Sequence, residues 1–163
     1  MVSPGKIETV VGDKSFYGSV IEKKGKIDLK KFYKELIGWF SDHKYYFVEK
    51  SLTNVVKSTG KNQRFEWDAT KKVDSYFKFH IEVEVLISDL MDDNAKVIVR
   101  FKGYLEKDWR NAFKKIGNLG EPLRRVYEKH VIMDKVDKME GKVWKETNSL
   151  IDEAKKILEL KTR

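Results

Sequence analysis

From Phe77 to Ile87 apolar residues recur at every second position, Phe77, Phe79, Ile81, Val83, Val85 and Ile87, while Lys78, His80, Glu82 and Glu84 fill places between them. Successive side chains of a strand point to opposite faces, so this alternation demands a β-strand with one buried and one wet face. The pattern returns after the loop Ser88 to Asn94, where Val97, Val99, Phe101, Gly103 and Leu105 form the apolar face and Arg100, Lys102, Tyr104 and Glu106 the polar one. Charge selects the register of an antiparallel pair: Glu84 opposite Arg100, Glu82 opposite Lys102 and Lys78 opposite Glu106. A slip by two residues loses most of these pairs.

Two further β-prone runs, Tyr46 to Lys57 and Arg64 to Lys72, flank the turn chemistry of Ser58-Thr59-Gly60-Lys61-Asn62 and predict a hairpin. In the second run Phe65, Trp67 and Ala69 share the core face. Near the N-terminus, Ile7, Thr9 and Val11, and then Phe16 to Ile21, predict a short strand pair, and Lys23 to Lys26 with Gly25 predicts a turn.

A sheet with one apolar face needs a cover, and two segments supply helical periodicity. Asp28 is placed to cap a helix whose stripe is Leu29, Phe32, Tyr33, Leu36, Ile37 and Phe40, ending near Asp42 to Lys44. After a short helix capped by Asp108, in which Trp109, Ala112, Phe113 and Ile116 share a face, Pro122 opens a proline-free run to about Leu160. A straight helix of about 39 residues would span about 60 Å, so the run must bend, and the bend is expected between His130 and Gly141. Beyond it Val136, Met139, Val143, Thr147, Leu150, Ala154 and Ile157 form a clean stripe. The fold class is therefore α+β: an antiparallel sheet with helices on one face and the long C-terminal helix packed across it. At 163 residues the chain reads as a single domain, 1–163.

This element order resembles the START-like, or helix-grip, superfamily: strand, helix, a run of antiparallel strands with Phe65, Trp67, Phe77, Phe79, Val99 and Phe101 inward, then a long helix carrying Val143, Leu150 and Ile157. The chain departs from that pattern in having one helix and four strands after the first strand, where the superfamily typically has two and six, and in adding the Trp109 helix. The resemblance implies a curved sheet gripping the last helix, with an apolar cavity between them that in family members holds lipids, hormones or polyketides. The expected function is then non-catalytic binding of a hydrophobic small molecule or lipid between Trp67, Phe77, Phe79, Phe101 and Trp144.

Charge supports an alternative. The net charge is +8, and residues 1–80 hold 16 basic against 10 acidic side chains. Lys23, Lys24, Lys26, Lys30, Lys31 and Lys34 surround the first helix and form a candidate site for a nucleic acid or an acidic partner. That reading is not favoured, because Glu22, Asp28 and Glu35 interrupt the run, and because 28 Lys with one Gln resembles the composition of proteins from hot environments. A protein-interaction or assembly role for the far end of the last helix is the third class.

Chemistry-bearing motifs are sparse. With 0 Cys there is neither a disulfide framework nor a thiol nucleophile. His80, Glu82 and Glu84 share a strand face, but their spread of roughly 13 Å is too great for one ion. No metal, cofactor or catalytic residue is assigned, and enzymatic activity is not expected. The longest stretch without Asp, Glu, Lys or Arg, Ser15 to Ile21, is far too short for a membrane span. A cytoplasmic address is expected.

Overall fold

The computed structural model describes residues 16–160; the expected strand around Ile7, Thr9 and Val11 lies outside them. The elements run β1 (Phe16–Lys26), α1 (Leu29–Asp42), β2 (Tyr46–Lys57), β3 (Gly60–Lys72), β4 (Phe77–Met91) and β5 (Asn94–Lys107), then α2 (Gly120–Val126) and α3 (Met133–Ile157). The five strands form one antiparallel sheet in the order β1-β5-β4-β3-β2. The expected α+β fold is the observed one: α1 and α3 lie on the apolar face, and one continuous core joins Phe32, Leu36 and Phe40 of α1 to Trp67, Ile81, Val83 and Phe101 of the sheet and Val143 and Leu150 of α3. No helix among the described residues is long and apolar enough to cross a membrane.

The charge-selected register is the one adopted. Glu84 pairs with Arg100, Glu82 with Lys102 and Lys78 with Glu106 across β4 and β5. Their charged atoms meet at 2.8, 3.9 and 3.6 Å. Arg64 of β3 adds a second cation at 2.7 Å from Glu84. Hydrogen bonding from Arg100, with the charge of both arginines, holds the Glu84 carboxyl below the usual carboxylate range, against the opposing effect of burial.

Local turn signals were overridden in three places. Lys23 to Lys26 is strand and not turn, with Lys23 paired to Val97 and Lys26 to Asn94. Gly25 holds φ 126° there, a conformation an edge strand accommodates at a glycine. The expected loop Ser88 to Asn94 shrinks to Asp92 and Asp93, with an irregularity after Ser88. Likewise β3 starts at Gly60, so the β2–β3 hairpin closes through Ser58 and Thr59. The two regions are locked together: the Thr59 hydroxyl donates to Asp89 Oδ1 at 3.1 Å, and the Asp89 amide donates to Asn62 Oδ1 at 2.9 Å.

The helical stripes fold as their periods require. Asp28 caps α1 by accepting from the Lys31 amide at 3.0 Å. The buried side is Phe32, Leu36, Trp39 and Phe40, rotated slightly from the expected stripe, so Tyr33 lies at its exposed margin. The short Trp109 helix is a correction. Asp108 does cap, its carboxylate accepting from the Ala112 and Phe113 amides at 2.7 and 3.1 Å, but only Lys114–Ile116 completes a turn, of 3-10 type. The long run breaks within the expected window. A π-type turn, Tyr127–Val131, follows α2, and Ile132 leaves helical geometry before α3 begins.

Contact between α3 and the sheet depends on Gly103. A Cβ built at that position would lie 2.0 Å from the Thr147 hydroxyl oxygen and 3.0 Å from its Cβ. Thr147 is itself buried and returns its hydroxyl to the Val143 carbonyl at 2.8 Å. Polar groups fix the helix at either side of this point. Lys71 of β3 meets Glu146 at 2.7 Å, and the Tyr45 hydroxyl donates to the same carboxylate at 2.5 Å. Nearer the start of α3, Lys135 donates to Asp74 at 2.8 Å.

Gly103→Ala is therefore expected to destabilise the fold by about 1–3 kcal/mol, the usual range for an overpacked core. Adding Thr147→Ala should recover part of the loss in urea melts, because it removes the nearest clashing atom. A second test uses Glu84→Lys and Arg100→Glu. The single changes should each cost about 0.5–1 kcal/mol, and the double variant should recover incompletely, since the cation introduced by Glu84→Lys would still oppose Arg64. Because the Glu84 pKa is lowered in the fold, its contribution is present above the unfolded carboxylate pKa and lost as pH falls through the folded one. The coupling between the two sites, measured in melts, should accordingly vanish in acid.

Candidate functional site

Of the five residues expected to line a cavity, Trp67, Phe77, Phe79 and Phe101 are buried, but they do not surround one space. Trp67 and Phe101 lie in one cross-strand row with Val83 between them. Phe77 is six residues from Val83 along β4, roughly 20 Å away at strand rise, under the start of α3, where Lys135 sits 5.3 Å over its ring. Trp144 corrects the expectation outright. It is 41% exposed, at the margin of the stripe that buries Val143, Thr147 and Leu150.

The apolar opening lies instead beneath the first half of α1. Leu29, Phe32 and Tyr33 face Phe65 and Trp67 of β3 and Val85 and Ile87 of β4 across a slot that encloses about 30 Å³. Each residue is there for a reason readable in its element. Leu29, Phe32 and Tyr33 belong to the helical stripe, and Phe65, Val85 and Ile87 to the inward register of their strands. Three aromatic rings crowd the outer end: Tyr33 lies 5.3 Å from Trp67 and 6.2 Å from Phe65, both edge-on.

Glu49 of β2 closes this end. One of its carboxylate oxygens accepts from the Tyr33 hydroxyl at 2.9 Å and from the Trp67 indole N–H at 3.1 Å. Burial first, then the Glu49 carboxylate, raises the Tyr33 pKa, so the phenol stays protonated and remains a donor. The slot therefore has dry walls and a single polar mouth. Sequence reading found Trp67 and the helical stripe but missed the site, because nothing in a periodic pattern says which part of the sheet α3 leaves to α1.

The opposite sheet face carries a broader depression of about 250 Å³, lined by Lys50, Glu66, Glu82, Glu84, Arg100 and Lys102. Its charges are engaged with one another: Lys50 with Asp68 at 3.1 Å, Arg64 with Glu66 at 2.6 Å, and Tyr104 with Glu82 at 3.2 Å. His80, singled out with Glu82 and Glu84, hydrogen-bonds Glu106 and stacks on Tyr104 with centroids 4.7 Å apart.

The six lysines do not form one strip. Lys24 and Lys26 lie on the wet face of β1, Lys23 on the face shared with buried Ile21, and Lys30, Lys31 and Lys34 on the outward side of α1. Lys31 approaches Glu35 at 3.9 Å. The helix lies over the apolar face, so the wet-face lysines of β1 and the lysines of α1 point to opposite sides of the molecule.

No family model matches the sequence, and no curated protein matches it. A solved structure that matches is a protein of unknown function from Staphylococcus aureus, 12% identical over 90% of this chain and 96% of that one, with a TM-score of 0.29. The functional reading rests on the geometry above.

Proposed function

We propose that this chain is a non-catalytic binding protein for a hydrophobic small molecule, taken up in the slot between α1 and strands β3 and β4. The observation that carries the reading is a dry aromatic slot whose one polar feature is the Glu49–Tyr33–Trp67 mouth. Sites for small molecules combine apolar walls with a few placed polar groups in this way. The strand–helix–meander–helix order, which resembles the helix-grip superfamily, supports the same reading by analogy of fold.

The slot as it stands has room for about one water, so a ligand enters by displacing Tyr33. Tyr33 sits at the exposed margin of α1 and its polar tether is the bond to Glu49, so moving it breaks one accessible hydrogen bond, about 0.5–1.5 kcal/mol. The opened space is narrow and suits a single alkyl chain better than a fused ring system. A head group that donates hydrogen bonds, an amine or a hydroxyl, would take over the Glu49 oxygen that Tyr33 leaves.

Titration with decylamine, followed through tryptophan fluorescence, should show saturable binding. Leu29→Trp, which fills the slot from its half-buried margin, should abolish the binding while the cooperative melt is kept. Non-saturable binding, or binding indifferent to Leu29→Trp, would refute the proposal. Native mass spectrometry of the purified chain gives an independent check, with a co-purifying alkyl compound as the expected result.

A further inference from the structure

The connection from β5 to α3 is built inside out. Its charged residues Arg124 and Glu128 turn inward, with side chains 18% and 12% exposed. Glu128 accepts from the Tyr76 hydroxyl at 2.5 Å and from Lys107 at 2.8 Å, and Arg124 lies 3.4 Å from it. Meanwhile Ile116, Leu119, Leu123, Val126, Val131 and Met133 are 47 to 69% exposed. On a helical wheel Leu119, Leu123 and Val126 fall within an arc of about 60°, so they form one ridge.

This exposure does not come from loose packing. Gly120 is buried, and a Cβ there would lie 1.9 Å from the Phe113 carbonyl oxygen. Asp108 fixes the amides leading into the segment, and Tyr76, Phe113 and Tyr127 pack against one another beneath it at centroid distances of 5.4 to 6.3 Å. A segment that turns Arg124 and Glu128 inward and presents Leu119, Leu123 and Val126 has its apolar side aimed at something outside the chain.

Charge selects what that is. Residues 114–133 contain five basic side chains, Lys114, Lys115, Arg124, Arg125 and Lys129, and two acidic ones, Glu121 and Glu128. Arg124 and Glu128 face inward, where Arg124 also lies 3.5 Å from Glu121, so the outward set is three lysines and Arg125, the last met by Glu121 at 3.6 Å. Aliphatic residues flanked by cations match an anionic bilayer, whose headgroups attract the lysines while the acyl boundary receives leucine and valine. Nucleic acid would use the cations but leave the aliphatic ridge wet, and base stacking would require exposed aromatics.

We propose that the Lys114–Met133 segment docks the protein on an anionic lipid surface, lying in the headgroup layer with Leu119, Leu123 and Val126 inserted. This docking is independent of whether the slot under α1 takes a ligand.

The test is co-sedimentation of the full chain with large vesicles of phosphatidylcholine alone and with about 30% phosphatidylserine, at about 0.1 M salt. Binding to the anionic vesicles and not to the neutral ones is expected, weakening as salt rises. Leu119→Ser, Leu123→Ser and Val126→Ser together should abolish it with the melt unchanged, these side chains being exposed already. Replacing Lys114, Lys115 and Lys129 with Ala should weaken it about five-fold per cation removed. Absence of binding to either vesicle, equal binding to both, or binding that survives the triple serine variant would overturn the proposal. So would a dimer in size-exclusion chromatography that the serine variant dissolves while vesicles are ignored, which would assign the ridge to a second copy of the chain.

Discussion

Everything on the apolar side of the sheet depends on how closely α3 approaches β5, and that distance is set where Gly103 faces Thr147. With no side chain in the way, the helix backbone comes near enough for Val143 and Leu150 to reach the floor made by Val99, Phe101 and Leu105. A larger residue would lift the helix along its length and separate Lys71 and Tyr45 from Glu146, and Asp74 from Lys135. The polar contacts thus position a helix that apolar burial holds. Asp74 illustrates the balance: burial raises its pKa, but the bond from Lys135 and the amides of Phe77 and Tyr76 more than reverse this, and it remains a charged anchor.

Much of this arrangement was legible in the residues because period and charge agree. Alternation from Phe77 onward identifies the inner face, three charge pairs fix the β4–β5 register, and the stripe from Val136 to Ala154 is buried as its spacing requires. The failures have separate physical causes. At Gly25 and at Ser88 to Asn94, local composition favours a turn, yet a long partner strand offers ladder hydrogen bonds that outweigh it. At Trp144 the residue type favoured the core, yet the side chain sits at the margin of the buried stripe and is exposed. The slot under α1 was not legible, since it depends on where two helices divide one sheet between them.

The lysine surplus takes on a different meaning once placed. On the wet sheet face, cations and carboxylates alternate within reach of one another, as Arg64, Glu84 and Arg100 do, and their surface role is to hold register and solubility. Between β5 and α3 Glu121 is the one outward carboxylate, paired with Arg125, and the lysines Lys114, Lys115 and Lys129 stand among exposed aliphatic side chains. The same residue type serves two ends, and the neighbours decide which.

The strand order carries a consequence for how the chain comes together. β1 finds its partner only in β5, where Phe16 lies opposite Tyr104, so the first strand waits for most of the sequence before its ladder closes. The meander from β2 to β5 can zip by local hairpins, the first and last of them closed by two-residue tips. The part of its apolar face that α1 does not cover then stays open until α3, the last described helix, arrives. During synthesis the half-made sheet would therefore leave the ribosome with the floor under α3, Val99, Phe101 and Leu105, uncovered, and the final helix sets when that hazard ends.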